Sequence, residues 1–389
     1  MPVDFQQIRK QVREMGAQAP GYRQRAAEKL QTALSLFNQL AEKNVEIRQR
    51  IEKAAASEPG LRCAVPAVEP ILSAIPLPFT GSASVILAAD GSQINPSRHE
   101  AADFGVINLG ALRLAKDNPP LESVSSRLLY YDELETPAGT LSEELIALMR
   151  DVGERRLLAD LAKTETSPVV ALTDGMLEVF GEPRKEPGFE AQFKEYLDSL
   201  RELSELKTIV AGYVDKPRAD LLARMLELMA GSEEDMLKRV RERPFGGVTD
   251  AMLLGGRLAP GMRSAVFGIQ SRSSKVFTGA LKLHFFYLNV GFDDAPILAR
   301  VEIPAWVAET GELIDLLHAT LAAQCAITGS KPYPYVLHRA HEIAVVGMAE
   351  RDQISTMIDT ELRGLGMEPG EKSFKQGLKD LEGKTRYER

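Results

Sequence analysis

Cysteine is nearly missing from this 389-residue chain: Cys63 and Cys325 stand far apart with no pairing partner near either, which supports neither a disulfide framework nor a zinc site. Long apolar runs are missing as well. The best candidate for the roughly 20 residues of a membrane helix is interrupted by Pro66, Glu69, Pro70, Pro76 and Pro78. The opening MPVDFQQIRK has no apolar signal core. These absences set the expectation of a cytoplasmic protein in a reducing environment with no membrane association. Two catalytic signatures are also lacking. Without G-x-x-x-x-G-K-[ST] the chain has no phosphate cradle for hydrolysing nucleotides, and without G-x-S-x-G its Ser92 reads as a turn or supporting hydroxyl rather than a nucleophile.

Basic residues are outnumbered, with 47 Lys and Arg against 55 Asp and Glu. The net charge of −8 counts mildly against nucleic-acid binding. The deficit is uneven, because residues 1–56 hold ten basic and six acidic residues, or +4, which leaves −12 for the remainder. An acidic body of this kind is either simply solvated or conceals a small basic channel, and composition does not separate the two.

What is present suffices for a large core, since 44% of the residues are hydrophobic, and one large domain with appendages is expected. Residues 1–56 read as a helical arm, with Leu30, Leu34, Phe37, Leu40 and Ile47 at mostly three- and four-residue steps and Pro20-Gly21 dividing it into two helices. Its apolar stripe needs a surface to cover, and a dimer contact is the first expectation. Residues 57–82, rich in proline and small residues, read as a linker. Residues 83–365 form the main domain, and 366–389 a charged, mobile tail.

The main domain is organised around SVILAADGSQI, Ser84 to Ile94, where Val85, Ile86 and Leu87 favour a strand and Gly91 permits a turn, placing Asp90 at the strand end. Taken alone, Asp-Gly-Ser is more often a plain turn. The design recurs in PVVALTDGMLE, where an apolar strand again ends at an Asp-Gly pair, Asp174-Gly175. Strands at Phe104–Leu114 and Ser126–Tyr131 complete a meander, followed by a helix over Leu141–Ala162, the strand ending at Asp174, a helix over Phe189–Leu206, a strand over Thr208–Val214 and a helix over Pro217–Ala230. Strand-strand-strand-helix-strand-helix-strand-helix matches an α/β, ribonuclease H-like mixed sheet core. In that fold acids stand on the first strand, the first helix and the end of the fourth strand, which are the elements holding Asp90, Glu154 and Asp174. Extra strands are expected at Ser264–Ile269, Leu281–Val290 and Ile297–Ile303, and long helices over Trp306–Ile327 and Val336–Leu362.

Carboxylates from different elements offer hard oxygen ligands to divalent cations beside a phosphodiester. For Glu154 the alternative is a solvated helix face with Arg150 and Arg155 nearby. A second concentration is KPYPYVLHRAHE, with Tyr333 entering a helix and His338, His341 and Glu342 spaced for a shared face. His341 has the chemistry to ligate a borderline metal such as manganese or to move protons. Lys216 and Arg218, and the set Arg257, Arg263, Arg272 and Lys275, are candidate phosphate contacts, with Phe286 and Tyr287 as stacking groups.

AADGSQI, the Arg150-x-x-x-Glu154 pair, ALTDGMLE, AGYVDKPRAD, RVEIPAW and KPYPYVLHRAH, taken in order from about Ile86 to Val346, resemble the NurA nuclease family. Glu143 and Glu144 in LSEELIALMR are the competing helix carboxylates. The resemblance implies a manganese-dependent DNA nuclease, with magnesium as the alternative ion. It would act as a 5′-to-3′ exonuclease and single-strand endonuclease in DNA end resection and repair. A homodimer and a HerA-type hexameric ATPase translocase as partner are implied too. Carried over by motif, the active-site set is Asp90, Glu154, Asp174, Tyr333 and His341, with Asp90, Asp174, Glu154 and His341 as metal ligands and Lys216, Arg218, Arg263 and Arg272 on the DNA path. The rival reading is a non-catalytic DNA-binding adaptor of the translocase.

Overall fold

The computed structural model describes residues 3–97, 103–136, 139–166, 168–179, 186–293 and 295–367. Two helices open the chain, α1 (Phe5–Gln39) and α2 (Asn44–Ser57), followed by strands β1 (Cys63–Pro66), β2 (Ala74–Ile75), β3 (Val85–Ile94), β4 (Phe104–Ala115) and β5 (Asn118–Tyr130). A small hairpin of β6 (Glu135–Thr136) and β7 (Gly139–Thr140) leads to α3 (Glu143–Ala162), β8 (Val169–Asp174), α4 (Phe189–Glu205) and β9 (Ile209–Val214). Next come α5 (Leu221–Met229), α6 (Met236–Glu242), α7 (Asp250–Leu254), β10 (Arg263–Ser264), β11 (Phe267–Gln270), β12 (Leu283–Asn289) and β13 (Leu298–Pro304). The last helices are α8 (Ala305–Ala308), α9 (Gly311–Ile327), α10 (Tyr335–Ala344) and α11 (Met348–Gly364).

The chain divides into two compact units. One takes Ala83–Asp174, Val179–Val210 and the chain from Pro334 onward. Its centre is β3, antiparallel to β4 and parallel to β8, with β4 antiparallel to β5. The strand order β5-β4-β3-β8, continued by the first residues of β9, runs third, second, first, fourth, fifth along the chain, which is the ribonuclease H-like arrangement. Val85 to Ala89 are all buried, as a central strand covered on both faces requires. The faces are set by α3 and α10. A Cβ on Gly91 would meet Arg150 of α3, and one on Gly110 would meet the α10 backbone.

The other unit takes the chain up to Ser82, Gly175–Glu178 and Ala211–Tyr333. Its strands follow the order β1-β11-β12-β13, all antiparallel, with β13 also antiparallel to Gly212–Val214 of β9. Phe267, Phe285, Phe286 and Tyr287 fill its core.

Several boundaries differ from the sequence expectation. Helix α1 runs unbroken through Pro20, because on an exposed stretch the forfeited backbone bond leaves groups that water can satisfy. The stretch expected as a linker carries β1 and β2, since the Cys63–Pro66 run pairs with β11 and its small apolar residues bury there. Helix α5 starts at Leu221 rather than at Pro217, where buried Asp250 accepts hydrogen bonds from the Leu222 and Ala223 amides. Each of the two long C-terminal helices is divided, at Glu309–Thr310 and at Val345–Gly347. Most of the tail, 368–389, lies outside the described residues.

Candidate active site

Asp90 is not at a strand end. Strand β3 stays paired with β4 as far as Ile94↔Val106, whereas its parallel pairing with β8 stops at Ala89↔Thr173. The ladder therefore opens on one side at Asp90, and Asp174 occupies the matching position on the neighbouring strand. Parallel neighbours stand about 5 Å apart, so the backbones of the two aspartates lie side by side. Gly175 follows at φ +83°, turning the chain as expected at that Asp-Gly pair.

The structure gives Gly91 a different duty from the turn expected of it. A Cβ there would lie 2.5 Å from Arg150 Cγ and 3.0 Å from Glu154 Oε1, so the missing side chain is what lets α3 press these two residues onto the strand. Glu154 is buried, which rules out the alternative of a solvated helix face. Its Oε2 accepts from Arg155 Nη1 at 2.7 Å, and Arg150 Nε stands 3.5 Å from Oε1. Burial pushes the Glu154 carboxyl up to about 8, with Arg155 and Arg150 pulling it down and Asp151 and Asp90 pushing it further up.

On the opposite face, Gly110 is paired with Asp90 in register, and a Cβ on it would lie 2.6 Å from the Ala344 nitrogen and 2.8 Å from the Ala340 oxygen. Helix α10 therefore rests directly on backbone. Its last carbonyl, Ala344 O, accepts from Ser92 Oγ at 2.6 Å and from Asn108 Nδ2 at 2.7 Å, and Ser126 Oγ donates to Asn108 Oδ1 at 2.6 Å. Ser92 is thus the supporting hydroxyl expected of it. The helix held in this way brings His341 Nδ1 to 2.7 Å from Asp90 Oδ2. The Asp90 side chain is 16% exposed and the imidazole 62% exposed, so the pair opens to solvent at the ring. His338 and Glu342 do not share this position; they pair with each other at 3.5 Å on the exposed side of α10.

Tyr333 belongs to the other unit and precedes α10 rather than entering it. Its ring meets Tyr213 edge-on at 5.4 Å between centroids, and its amide donates to Thr328 Oγ1. Of the DNA-path candidates in that unit, Lys216, Arg218, Arg272 and Lys275 are exposed. Arg263 is not: it is 4% exposed and forms a two-bond pair with Glu69, at 3.0 and 2.9 Å, which removes it from any surface path. Arg257 covers the Phe37 ring and donates to Asn38. Phe286 and Tyr287 are fully buried core residues and offer no stacking surface, because every residue of β12 faces protein.

Among the described residues no three His, Cys, Asp or Glu side chains are already gathered closely enough to hold a metal ion. The donor types still fit one. Asp90 and Asp174 supply hard oxygens from adjacent strands, and His341 an imidazole held by Asp90. Gly110, Asn108 and Ser126 escaped sequence reasoning. They carry no reactive group, and only the pairing of β4 with β3 and β5 shows what they support.

Residues 84–346 match the NurA domain, more than half of the chain. The chain belongs to the NurA domain family. No protein of curated function matches it. Among solved structures, the NurA nuclease from Sulfolobus solfataricus is similar at 14% identity, over 85% of this chain and 97% of that one, with a TM-score of 0.48. The catalytic domain of human endonuclease V is similar at 13% identity over 82% and 98%, TM-score 0.31. An endonuclease V from Ciona intestinalis in complex with a 23mer DNA is similar at 12% identity over 82% and 98%, TM-score 0.29.

Proposed function

We propose that this NurA-family chain, a nuclease by family, hydrolyses DNA phosphodiesters with a divalent cation, manganese or alternatively magnesium, held by Asp90 and Asp174. The observation that carries the reading is the pair of aspartates at matching register on adjacent parallel strands, one of them bonded to a solvent-facing histidine. Two carboxylates so placed repel one another unless a cation or proton lies between them. A bound cation would activate water and stabilise the departing oxygen. The chain's own residues do the rest. Asp90 holds His341 through Nδ1; in this reading the imidazole either gives up that bond to ligate the ion or carries a proton at Nε2, which faces away from the carboxylate. Glu154, clamped by Arg155 and Arg150 beneath Gly91, completes the acidic set from the other side of the strand. Tyr333 positions phosphate in this reading, and Lys216, Arg218 and Arg272 steer the strand. The cleavage modes follow the family: 5′-to-3′ exonuclease and single-strand endonuclease in end resection and repair, by a cytoplasmic homodimer working with a HerA-type hexameric translocase.

The test is direct. Purified protein is incubated with end-labelled linear DNA and with circular DNA, in manganese, magnesium or chelator. Ion-dependent shortening of the linear substrate supports the proposal. If neither ion yields products, and adding the translocase changes nothing, the protein is a DNA-binding adaptor that has kept the fold.

A further inference from the structure

Helix α1 leaves its own body almost at once. From Phe5 to Lys29 every side chain is exposed except that of Ala19, which is half-buried, and the first buried residue of the helix is Ala33. About 36 Å of helix, from Phe5 to Glu28, therefore projects before Lys29 Nζ reaches the Gly246 carbonyl, given a rise of 1.5 Å per residue. Isolated helices are marginal in water even when rich in alanine, and this one contains Gly16, Pro20 and Gly21. Something must cover it for that segment to remain helical.

The projecting stretch states what would cover it. Phe5, Ile8, Val12, Met15, Ala19 and Tyr22 follow one another at steps of three, four, three, four and three, the narrow seam of a two-stranded coiled coil rather than the wider stripe of a helix lying on a globular core. Phe5, Met15 and Tyr22 are 56%, 67% and 65% exposed, a large apolar surface to leave in water. The three poor helix formers all stand off the seam. The charged residues at the positions flanking it are Asp4, Arg9, Arg23 and Arg25. Across a second copy of the same helix Asp4 faces Arg9 if the helices run parallel and Arg25 if they run antiparallel, and in neither arrangement do like charges meet. Both capping bonds from Gln6 and Gln7 go to Asp4 Oδ1, so Oδ2 faces outward for such a pair.

We propose that residues 5–26 of α1 pair with the same segment of a second copy of this chain as a coiled coil. This deepens the homodimer reading above by naming a seam outside the residues that match the family. The test uses the full chain with Ala17→Cys, on the outer face of the helix, carrying a spin label. Cys63 and Cys325 are buried and stay unlabelled. Pairing predicts a label-to-label distance of about 20–30 Å, from two helix radii and an interaxial distance of 8–10 Å. Adding Val12→Glu with Met15→Glu should abolish that distance while the melting temperature of the body is unchanged. A two-chain mass with no distance below about 40 Å would overturn the seam and leave the homodimer reading standing. A single-chain mass, a distance that survives the two glutamates, or pairing that appears only with a different protein would each overturn it as well.

Discussion

Replacing Gly110 by alanine isolates the support of the site from its chemistry. The added methyl would lie 2.6 Å from the Ala344 nitrogen, 2.8 Å from the Ala340 oxygen and 2.9 Å from the Ile343 carbonyl carbon, all backbone atoms of one helix that no rotamer change can move. Ordinary contact begins at 3.4 Å, so α10 must lift by about 0.8 Å, the difference between 3.4 and 2.6. His341 lies between Ala340 and Ala344 and moves with them. Its 2.7 Å bond to Asp90 would lengthen toward 3.5 Å, the limit of a hydrogen bond. Overpacking of this kind costs about 1–3 kcal/mol, and a misplacement near 1 Å costs about 100-fold in rate. The variant should therefore stay folded, melt at least about 2 °C lower, and cut end-labelled DNA about 100-fold more slowly. Gly105→Ala, on the same strand but away from α10, serves as the control. A Gly110→Ala protein that melts and cleaves like the parent would refute the claim that close contact between β4 and α10 sets the Asp90–His341 pair.

Asp90→Asn and Asp174→Asn should each cut at least about 100-fold more slowly, since loss of mere outer-shell partners already costs 10–100-fold in metal sites. Their melting temperatures without metal should hold or rise as repulsion between carboxylates is relieved; well-folded variants with near-parental rates would sink the metal site. Arg263→Ala should destabilise by about 1–3 kcal/mol, since the half-buried Glu69 loses both guanidinium bonds and keeps only that from the Val266 amide, and a melt showing no loss would return Arg263 to the DNA path. Burial raises Asp250 from 3.8 to about 7, so the folded state favours its protonated form. That stability is complete below pH 3.8 and is lost as pH rises through 7. In melts across this window Asp250→Asn should flatten the decline, and an equal slope in both proteins would show that another group carries it.

How much of this was legible in the sequence depended on whether the signal was local. The order of elements, the apolar strands and the Asp-Gly echo are local patterns, and they put Asp90, Asp174 and Glu154 on the right elements. What depends on a distant partner was misread or missed. Gly91 looks like a turn residue until Arg150 and Glu154, some sixty positions later, are seen to need its empty side. Arg263 looks like any surface arginine until Glu69, 194 residues earlier, claims both arms of its guanidinium. Phe286 and Tyr287 suggest stacking groups in isolation, yet the unbroken burial of β12 makes them core. The histidine pair shows the same limit, since helical spacing allows a shared face but only Asp90 decides that His341 alone turns to the strand.

The corrections also change the charge argument. Arg155, Arg263 and Arg300 lie buried against Glu154, Glu69 and Glu302, so three of the 47 basic residues are committed to internal pairs. Positive charge open to phosphate must come from exposed groups such as Lys216, Arg218, Arg272 and Lys275. Lys216 holds φ +44°, a left-handed backbone that a non-glycine residue adopts at some energetic expense and that recurs where a loop must present a side chain. If these four are the contacts, DNA held by this protein alone should show a shallow dependence on salt, each lost contact changing the slope by about one unit. An acidic nuclease with a small basic path gains from a partner that delivers the strand. The translocase proposed above would fill that role, and a salt slope as steep as that of a strongly basic DNA-binding protein would remove this argument for it.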